Sequence, residues 1–150
     1  MRLPLFSAMT LMLLPLLANA ELGGNAAAVQ PNHSQLRATM HAAVSNGYTL
    51  HEILGEGGLR VREYANPAGR IFAVSWEGPA LPDLAQLLGV YFPAFKQAAV
   101  ERRQAGARGG PITVAQGDLV VESSGHVRAY AGRAWVPSLL PPHIAIDAIR

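Results

Sequence analysis

Between positions 48 and 77 apolar residues recur every second position, and the run is broken twice, at Gly55-Glu56-Gly57-Gly58 and at Asn66-Pro67-Ala68-Gly69. Alternating segments bounded by such turn-forming clusters are strands, so this stretch predicts a three-stranded antiparallel meander. With a four-residue loop at each turn, position 54 lies opposite 59 and position 65 opposite 70. One face then carries Tyr48, Leu50, Glu52, Leu54, Leu59, Val61, Glu63, Phe72, Val74 and Trp76. The other carries Thr49, His51, Ile53, Arg60, Arg62, Tyr64, Ile71, Ala73 and Ser75. The first face is mostly large and apolar and is expected to be buried, because a slip of one residue would exchange the faces of a whole strand.

A sheet with one greasy face needs a cover. Leu84, Leu87, Leu88, Tyr91, Phe92, Phe95, Ala98 and Ala99 recur every three or four residues, while Asp83, Gln86, Lys96 and Arg103 avoid that stripe. This is the pattern of an amphipathic helix. Pro82 and Asp83 suit its start. Pro93 removes the bond to the carbonyl of Gly89, so a kink is expected between Gly89 and Phe92. Positions 112–136 read as a closing hairpin with its tight turn at Ser124-Gly125. Before the meander, Ser34 can cap a short N-terminal helix on which Leu36, Met40 and Ala43 or Val44 recur, ended by Asn46-Gly47. Residues 21–33 have no hydrophobic period and read as a flexible lead-in. The expectation is a single α+β domain over residues 34–150. It ends in an apolar tail of Leu139, Leu140, Ile144, Ile146 and Ile149, interrupted by Pro137, Pro141 and Pro142, that packs on the body or mediates oligomerisation.

Residues 1–20 begin with Arg2, continue as an apolar run from Leu3 to Leu17, and end in Ala18-Asn19-Ala20 before Glu21. A positive start, a short hydrophobic segment and small residues at the cut read as a signal peptide, which places the mature chain in the periplasm or outside the cell. The run is shorter than the roughly 20 residues a membrane span requires, so no transmembrane segment is expected after cleavage. The chain has no cysteine, which excludes disulfides and a thioether-linked lipid. Without Arg2 the formal charge falls from +2 to about +1, too small to argue for a nucleic-acid partner.

Three separated blocks carry a resemblance. Tyr48-Thr49-Leu50-His51-Glu52-Ile53, then Val61-Arg62-Glu63-Tyr64 with Pro67-Ala68-Gly69 and Phe72-Ala73-Val74-Ser75-Trp76, resemble a family of small exported bacterial proteins catalogued as domain of unknown function 2844. Gly78-Pro79 with Pro82-Asp83-Leu84 and Leu87-Leu88-Gly89 is similar to its middle part. Gly117-Asp118-Leu119-Val120-Val121, Gly125-His126, Arg128-Ala129 and Gly132-Arg133-Ala134 are similar to its closing part. The resemblance spans residues 34–150 and implies an exported single domain. It supplies no activity, cofactor or catalytic residue.

Two constellations could carry chemistry. Glu52 and Glu63 fall on the apolar face, and a carboxylate buried there needs a partner. Arg128, sharing a face with Leu119, Val121 and Tyr130, is the candidate for pairing with Glu63. On the opposite face Arg60, Arg62, Tyr64, Thr49 and His51 combine guanidinium forks with an aromatic ring, which suits carboxylates, phosphates, sugars or peptides; His51, Arg60, Arg62 and Tyr64 form the predicted binding set. The five histidines, His33, His41, His51, His126 and His143, have no metal-ligand spacing. There is no nucleophile elbow. Ser123-Ser124-Gly125-His126 reads as turn chemistry, Asp118 as a strand-entry residue, and the Gly55–Gly58 run as a strand-to-strand turn rather than a phosphate cradle. No cofactor is implied. The reading that remains is a non-enzymatic binding or accessory factor of the bacterial cell envelope, acting on an unknown envelope protein or ligand. The alternatives are an enzyme using Glu52 and Glu63 on an envelope saccharide or peptide, which would need both carboxyls in one cleft, and an oligomer subunit joined through the tail.

Overall fold

The computed structural model describes residues 21–26, 39–45, 47–107 and 109–150. It is α+β: a seven-stranded antiparallel sheet with one broken helical segment against it. In chain order the strands are β1 (Thr39–Ser45), β2 (Tyr48–Leu54), β3 (Arg60–Ala65), β4 (Ile71–Gly78), β5 (Ile112–Gln116), β6 (Leu119–His126) and β7 (Ala129–Trp135). They lie in the order β1-β2-β3-β4-β7-β6-β5. After β4 the chain crosses one face through α1 (Leu84–Leu88) and α2 (Phe92–Gln104), starts again at the far edge as β5, and returns by two hairpins until β7 closes against β4.

The helical cover breaks where the sequence predicts it. Asp83 caps α1, its carboxylate accepting from the amides of Ala85 and Gln86. Gly89 takes a positive φ of 51°, a tight turn runs from Gly89 to Tyr91, and Pro93 falls in the first turn of α2, where a missing N–H costs nothing. Leu87, Leu88 and Phe95 meet Val74, Trp76, Val114, Leu119, Val121, Ala134 and Val136 in the main core. Leu22 joins them, fully buried. Residues 21–26 are thus docked rather than a flexible lead-in: Leu22 N–H donates to Leu87, Gly23 N–H to Ile71, and Ile71 N–H back to Gly24. The rest of that predicted lead-in and residues 1–20 lie outside the described residues.

Three expectations need correction. The N-terminal helix is a strand where it is described: residues 39–45 form β1, in register with β2 from Thr39 opposite Leu54 to Ser45 opposite Tyr48. Ser34 and Leu36 lie outside the described residues. The pair Asn46-Gly47, read as a helix stop, is equally the strongest short hairpin signal, and Gly47 has φ 84°. The meander therefore has four strands.

Second, the loops joining β2 to β3 and β3 to β4 are each one residue longer than assumed. Leu54 pairs with Arg60 and Ala65 with Ile71. At the first loop Gly57 and Gly58 both take positive φ, 73° and 88°, and Leu59 becomes part of the turn. β2 consequently slips by one and its faces exchange: Thr49, His51 and Ile53 share a side with Val61 and Glu63, whereas Leu50, Glu52 and Leu54 share the side of Arg60, Arg62 and Tyr64. Between β3 and β4 a bulge moves the pairing on by a second residue, so Glu63 lies opposite Val74 and Val61 opposite Trp76, not opposite Phe72 and Val74 as expected, and these residues keep their expected side. Phe72 is the extra residue, and it packs with Tyr64, Ala73 and Trp135 instead of with Val74 and Trp76.

Third, the closing unit is a three-stranded β5-β6-β7 run, and the β6–β7 turn is Val127-Arg128, since His126 pairs with Ala129. The tail takes the first of its two expected fates and packs on the body. Ile149 is buried and Leu139, Leu140, Ile144 and Ile146 pack with it on Tyr64, Phe72, Ala73 and Trp135. The sheet thus has a helix side and a tail side, each with its own core.

Candidate functional site

The tail side is built from alternate residues of β2 to β7. Cross-strand pairing places Glu52 opposite Arg62, Arg60 opposite Glu77, Ser75 opposite Arg133, and Arg133 opposite Glu122. Residues directly opposite on one face are within reach of each other, and here each of Arg60, Arg62 and Arg133 stands opposite a carboxylate. Arg62 Nε donates to Glu52 at 2.9 Å, and Arg60 Nη1 to Glu77 at 2.7 Å. Arg133 Nε donates to Glu122 Oε2 at 2.8 Å, and its Nη2 stands 2.8 Å from that same oxygen, so the guanidinium edge converges on one carboxylate oxygen.

This ladder holds the tail. The carbonyl oxygen of Arg150 accepts from Arg62 Nη1 at 2.7 Å and from the hydroxyls of Tyr64 and Ser75, each at 2.9 Å. The amide of Arg150 donates back to the Tyr64 oxygen at 3.1 Å. Arg133 Nη1 reaches the carbonyls of Ile146 and Ile149, and its guanidinium lies 5.5 Å above the Trp135 ring. Asp118, in the β5–β6 turn, accepts from the Ser138 amide at 3.1 Å and from its hydroxyl. Three side-chain groups, on β3–β4, on β7 and at the turn after β5, thus fix successive parts of residues 137–150.

Beside Ile149 and Arg150 part of the sheet's tail side is open. An open groove of about 470 Å³ lies there, with Glu77, Thr113, Glu122, Ser124, Ala131 and Arg133 along the tail side of β4 to β7 and with Ile149 and Arg150 as one wall. Its polar groups are carboxylates already neutralised by arginines, together with hydroxyls. Such a surface offers donors and acceptors without strong net charge.

The predicted binding set is divided. Arg60 and Arg62 do flank this side, already paired with Glu52 and Glu77. Tyr64 is buried beneath the tail rather than open. His51 is on the helix side, opposite Glu63. Glu63 is 2% exposed, and burial raises its pKa to about 7, while burial lowers that of His51. Nδ1 of His51 stands 4.0 Å from Oε2 of Glu63, too far for a hydrogen bond, and both atoms are buried without a partner, as is Nε1 of Trp76. Arg128, the expected partner of Glu63, sits exposed in the β6–β7 turn at φ 70°. Glu52 and Glu63 point to opposite sides of the sheet and cannot flank one bond.

Among the described residues no three His, Cys, Asp or Glu side chains gather as a metal would require, and no helix is long and apolar enough to cross a membrane. Ser123, Ser124 and His126 are residues of β6, and the Gly55–Gly58 run joins β2 to β3. The tail anchors Asp118, Glu122, Arg133 and Ser138 do not stand out from sequence as a set. The pairing of Glu122 with Arg133 becomes meaningful only once the β6–β7 register is known. Residues 18–149 match a family model described as "Protein of unknown function (DUF2844)". No curated protein and no solved structure matches.

Proposed function

The chain belongs to the DUF2844 family, and we propose that it is an exported, non-enzymatic binding or accessory factor of the bacterial cell envelope that takes a polar envelope ligand in the tail-side groove. One observation carries this reading: an open groove of about 470 Å³ on four strands, whose lining sets carboxylates, guanidinium groups and hydroxyls beside apolar surface from Trp76, Ile112, Ala131 and Ile149. Groups of that kind hydrogen-bond saccharide hydroxyls or peptide amides and do not supply a free base or nucleophile. The export half of the reading is supported by the charge, length and small-residue ending of residues 1–20. The enzymatic alternative through Glu52 and Glu63 loses its basis, since the two carboxyls are separated by the sheet.

Calorimetric titration with cell-wall glycopeptide and lipopolysaccharide fragments tests the groove, and Ala131→Trp, which fills its floor from an exposed position, is the control. Binding by wild type that Ala131→Trp abolishes supports the proposal; wild type that binds none of these fragments removes it. The export half is tested separately by mass spectrometry of the protein from the envelope fraction, where a chain beginning at Glu21 is expected and an intact Met1 is the contrary result.

A further inference from the structure

Among the described residues β1 is the outer edge of the sheet, paired with β2 on one side only. His41, Ala42, Ala43 and Val44 are all exposed, Val44 at 86%. The seven residues Thr39–Ser45 include no Lys, Arg, Asp, Glu, Pro or Gly, and the register with β2 runs without a bulge. Proteins normally blunt such edges with charge, proline, bulges or shortness, because unpaired N–H and C=O groups template another strand. The opposite edge shows this treatment: β5 has five residues, follows Pro111, packs against α2, and has Arg102 bonded to the Pro111 carbonyl. β1 has none of it.

The direction of its free groups follows from the ladder. A two-residue connection between Ser45 and Tyr48 closes on a hydrogen-bonded pair, and bonded and non-bonded pairs then alternate. Thr39, His41, Ala43 and Ser45 therefore bond to β2, and Met40, Ala42 and Val44 turn their N–H and C=O outward.

We infer that this edge joins two copies of the chain, β1 to β1 and antiparallel, about a two-fold axis through Ala42. The strand is close to a palindrome about that residue: Thr39 falls opposite Ser45, Met40 opposite Val44, His41 opposite Ala43, and Ala42 opposite itself. Each outward-bonding residue meets another outward-bonding residue, so the parity required for about six new ladder bonds is met by this register. Shifting by one residue would set outward groups against groups already used by β2. No charge meets a like charge anywhere in the seven pairs. A segment of another protein would satisfy the same backbone groups but has no reason to find a self-complementary sequence. The contact is isologous and closes at two copies.

The test uses the full chain produced with its native N-terminus in a bacterial host, so that any processing is retained, and follows mass by light scattering across a concentration series. Wild type is expected to reach twice the chain mass. Ala42→Lys places like charges on the axis, and Ala42→Pro removes an N–H that β2 does not use; each is expected to lower the dimer association constant by at least about tenfold, with unchanged far-ultraviolet circular dichroism. Because the chain has no cysteine, Ala42→Cys gives an independent reading. Opposed bonded residues have Cα atoms about 5.5 Å apart, within disulfide reach, so it should oxidise to a covalent dimer while Val44→Cys does not. A wild-type chain that stays monomeric through the series overturns the inference, including one whose β1 amides become protected only on addition of another protein's segment. So does a dimer that survives both Ala42 substitutions and leaves Ala42→Cys uncrosslinked. If Ala42→Lys and Ala42→Pro do not fold, the contrast between the two cysteine variants decides.

Discussion

Replacing Glu63 by Gln should make the protein more stable at neutral pH and abolish most of a pH dependence that the wild type shows. Glu63 is 2% exposed, its Oε2 has no hydrogen-bond partner, and burial raises its pKa from 4.5 to about 7. In the unfolded chain it ionises at its ordinary value. Between pH 4.5 and about 7 the folded state therefore holds a proton that the unfolded state has lost, and unfolding free energy falls as pH rises. The drop is complete above pH 7 and amounts to about 3 kcal/mol for a shift of this size. His51 opposes it in part: burial lowers its pKa, so below its ordinary 6.5 the unfolded state gains a proton first, and stability is lost as pH falls. The net wild-type curve should bend downward on the alkaline side of pH 6.5, where only Glu63 still contributes. The amide that Glu63→Gln introduces imitates the protonated carboxyl at every pH. Urea denaturation followed by tryptophan fluorescence reads the change directly, as Trp76 and Trp135 are both buried. The variant and wild type should coincide near pH 4.5 and diverge to about 3 kcal/mol in favour of the variant at about pH 8. A variant no more stable than wild type at that alkaline end, or one that keeps the wild-type slope above pH 6.5, refutes the reasoning.

Leu22→Ala should cost about 2–5 kcal/mol, because Leu22 is fully buried between Leu87 and Ile71 and its removal leaves a cavity that the helix and sheet cannot both close; thermal denaturation measures it, and a loss below about 1 kcal/mol would mean that residues 21–26 are not docked. Gly132→Ala should destabilise by about 1–3 kcal/mol or more through overpacking, since a Cβ there would enter the Trp76 ring although the backbone itself is unstrained. The accompanying change in near-ultraviolet circular dichroism separates this from a general weakening, and an unchanged Trp76 signal would contradict the packing.

How far the sequence can be read depends on loop lengths more than on strand patterns. The alternation of Val61 and Glu63 with Val74 and Trp76 places these four on one side, and the structure keeps them there. The same rule applied to β2 puts His51 and Glu52 on the wrong sides, because Leu59 belongs to the turn. Nothing in Gly55-Glu56-Gly57-Gly58-Leu59 marks that boundary, as a strand can begin with leucine and a turn can end with it. The broken helix is legible because Gly89 and Pro93 each act through the local backbone. β1 is not, because Met40 and Val44 suit both periods and Asn46-Gly47 ends a helix as well as it turns a hairpin. The tail cradle is out of reach for a different reason. Arg62, Tyr64 and Ser75 bond a residue 88, 86 and 75 positions away, and no local period records such a contact.

The one-residue slip of β2 has consequences on both sides of the sheet at once. Had Leu54 paired with Leu59, Glu52 would have been buried beside Glu63, two carboxyls on an apolar face with like charges a few ångströms apart. The observed register moves Glu52 out to Arg62 and Arg60, where it completes the ladder that holds Arg62 ready for the Arg150 carbonyl. It brings His51 in, a side chain that, unlike Glu52, is readily neutral near pH 7 and so less costly to bury. The helix side is thereby left with a weakly charged pair inside an otherwise apolar core, and the tail side with a charged lattice that depends on ionised groups. The two sides should fail under different conditions. Salt and loss of arginine charge act on the tail and groove, while lost burial volume and ionisation of Glu63 act on the helix side. A perturbation that opens the groove, such as loss of the Arg133–Glu122 pair, need not disturb Trp76 or the helical cover.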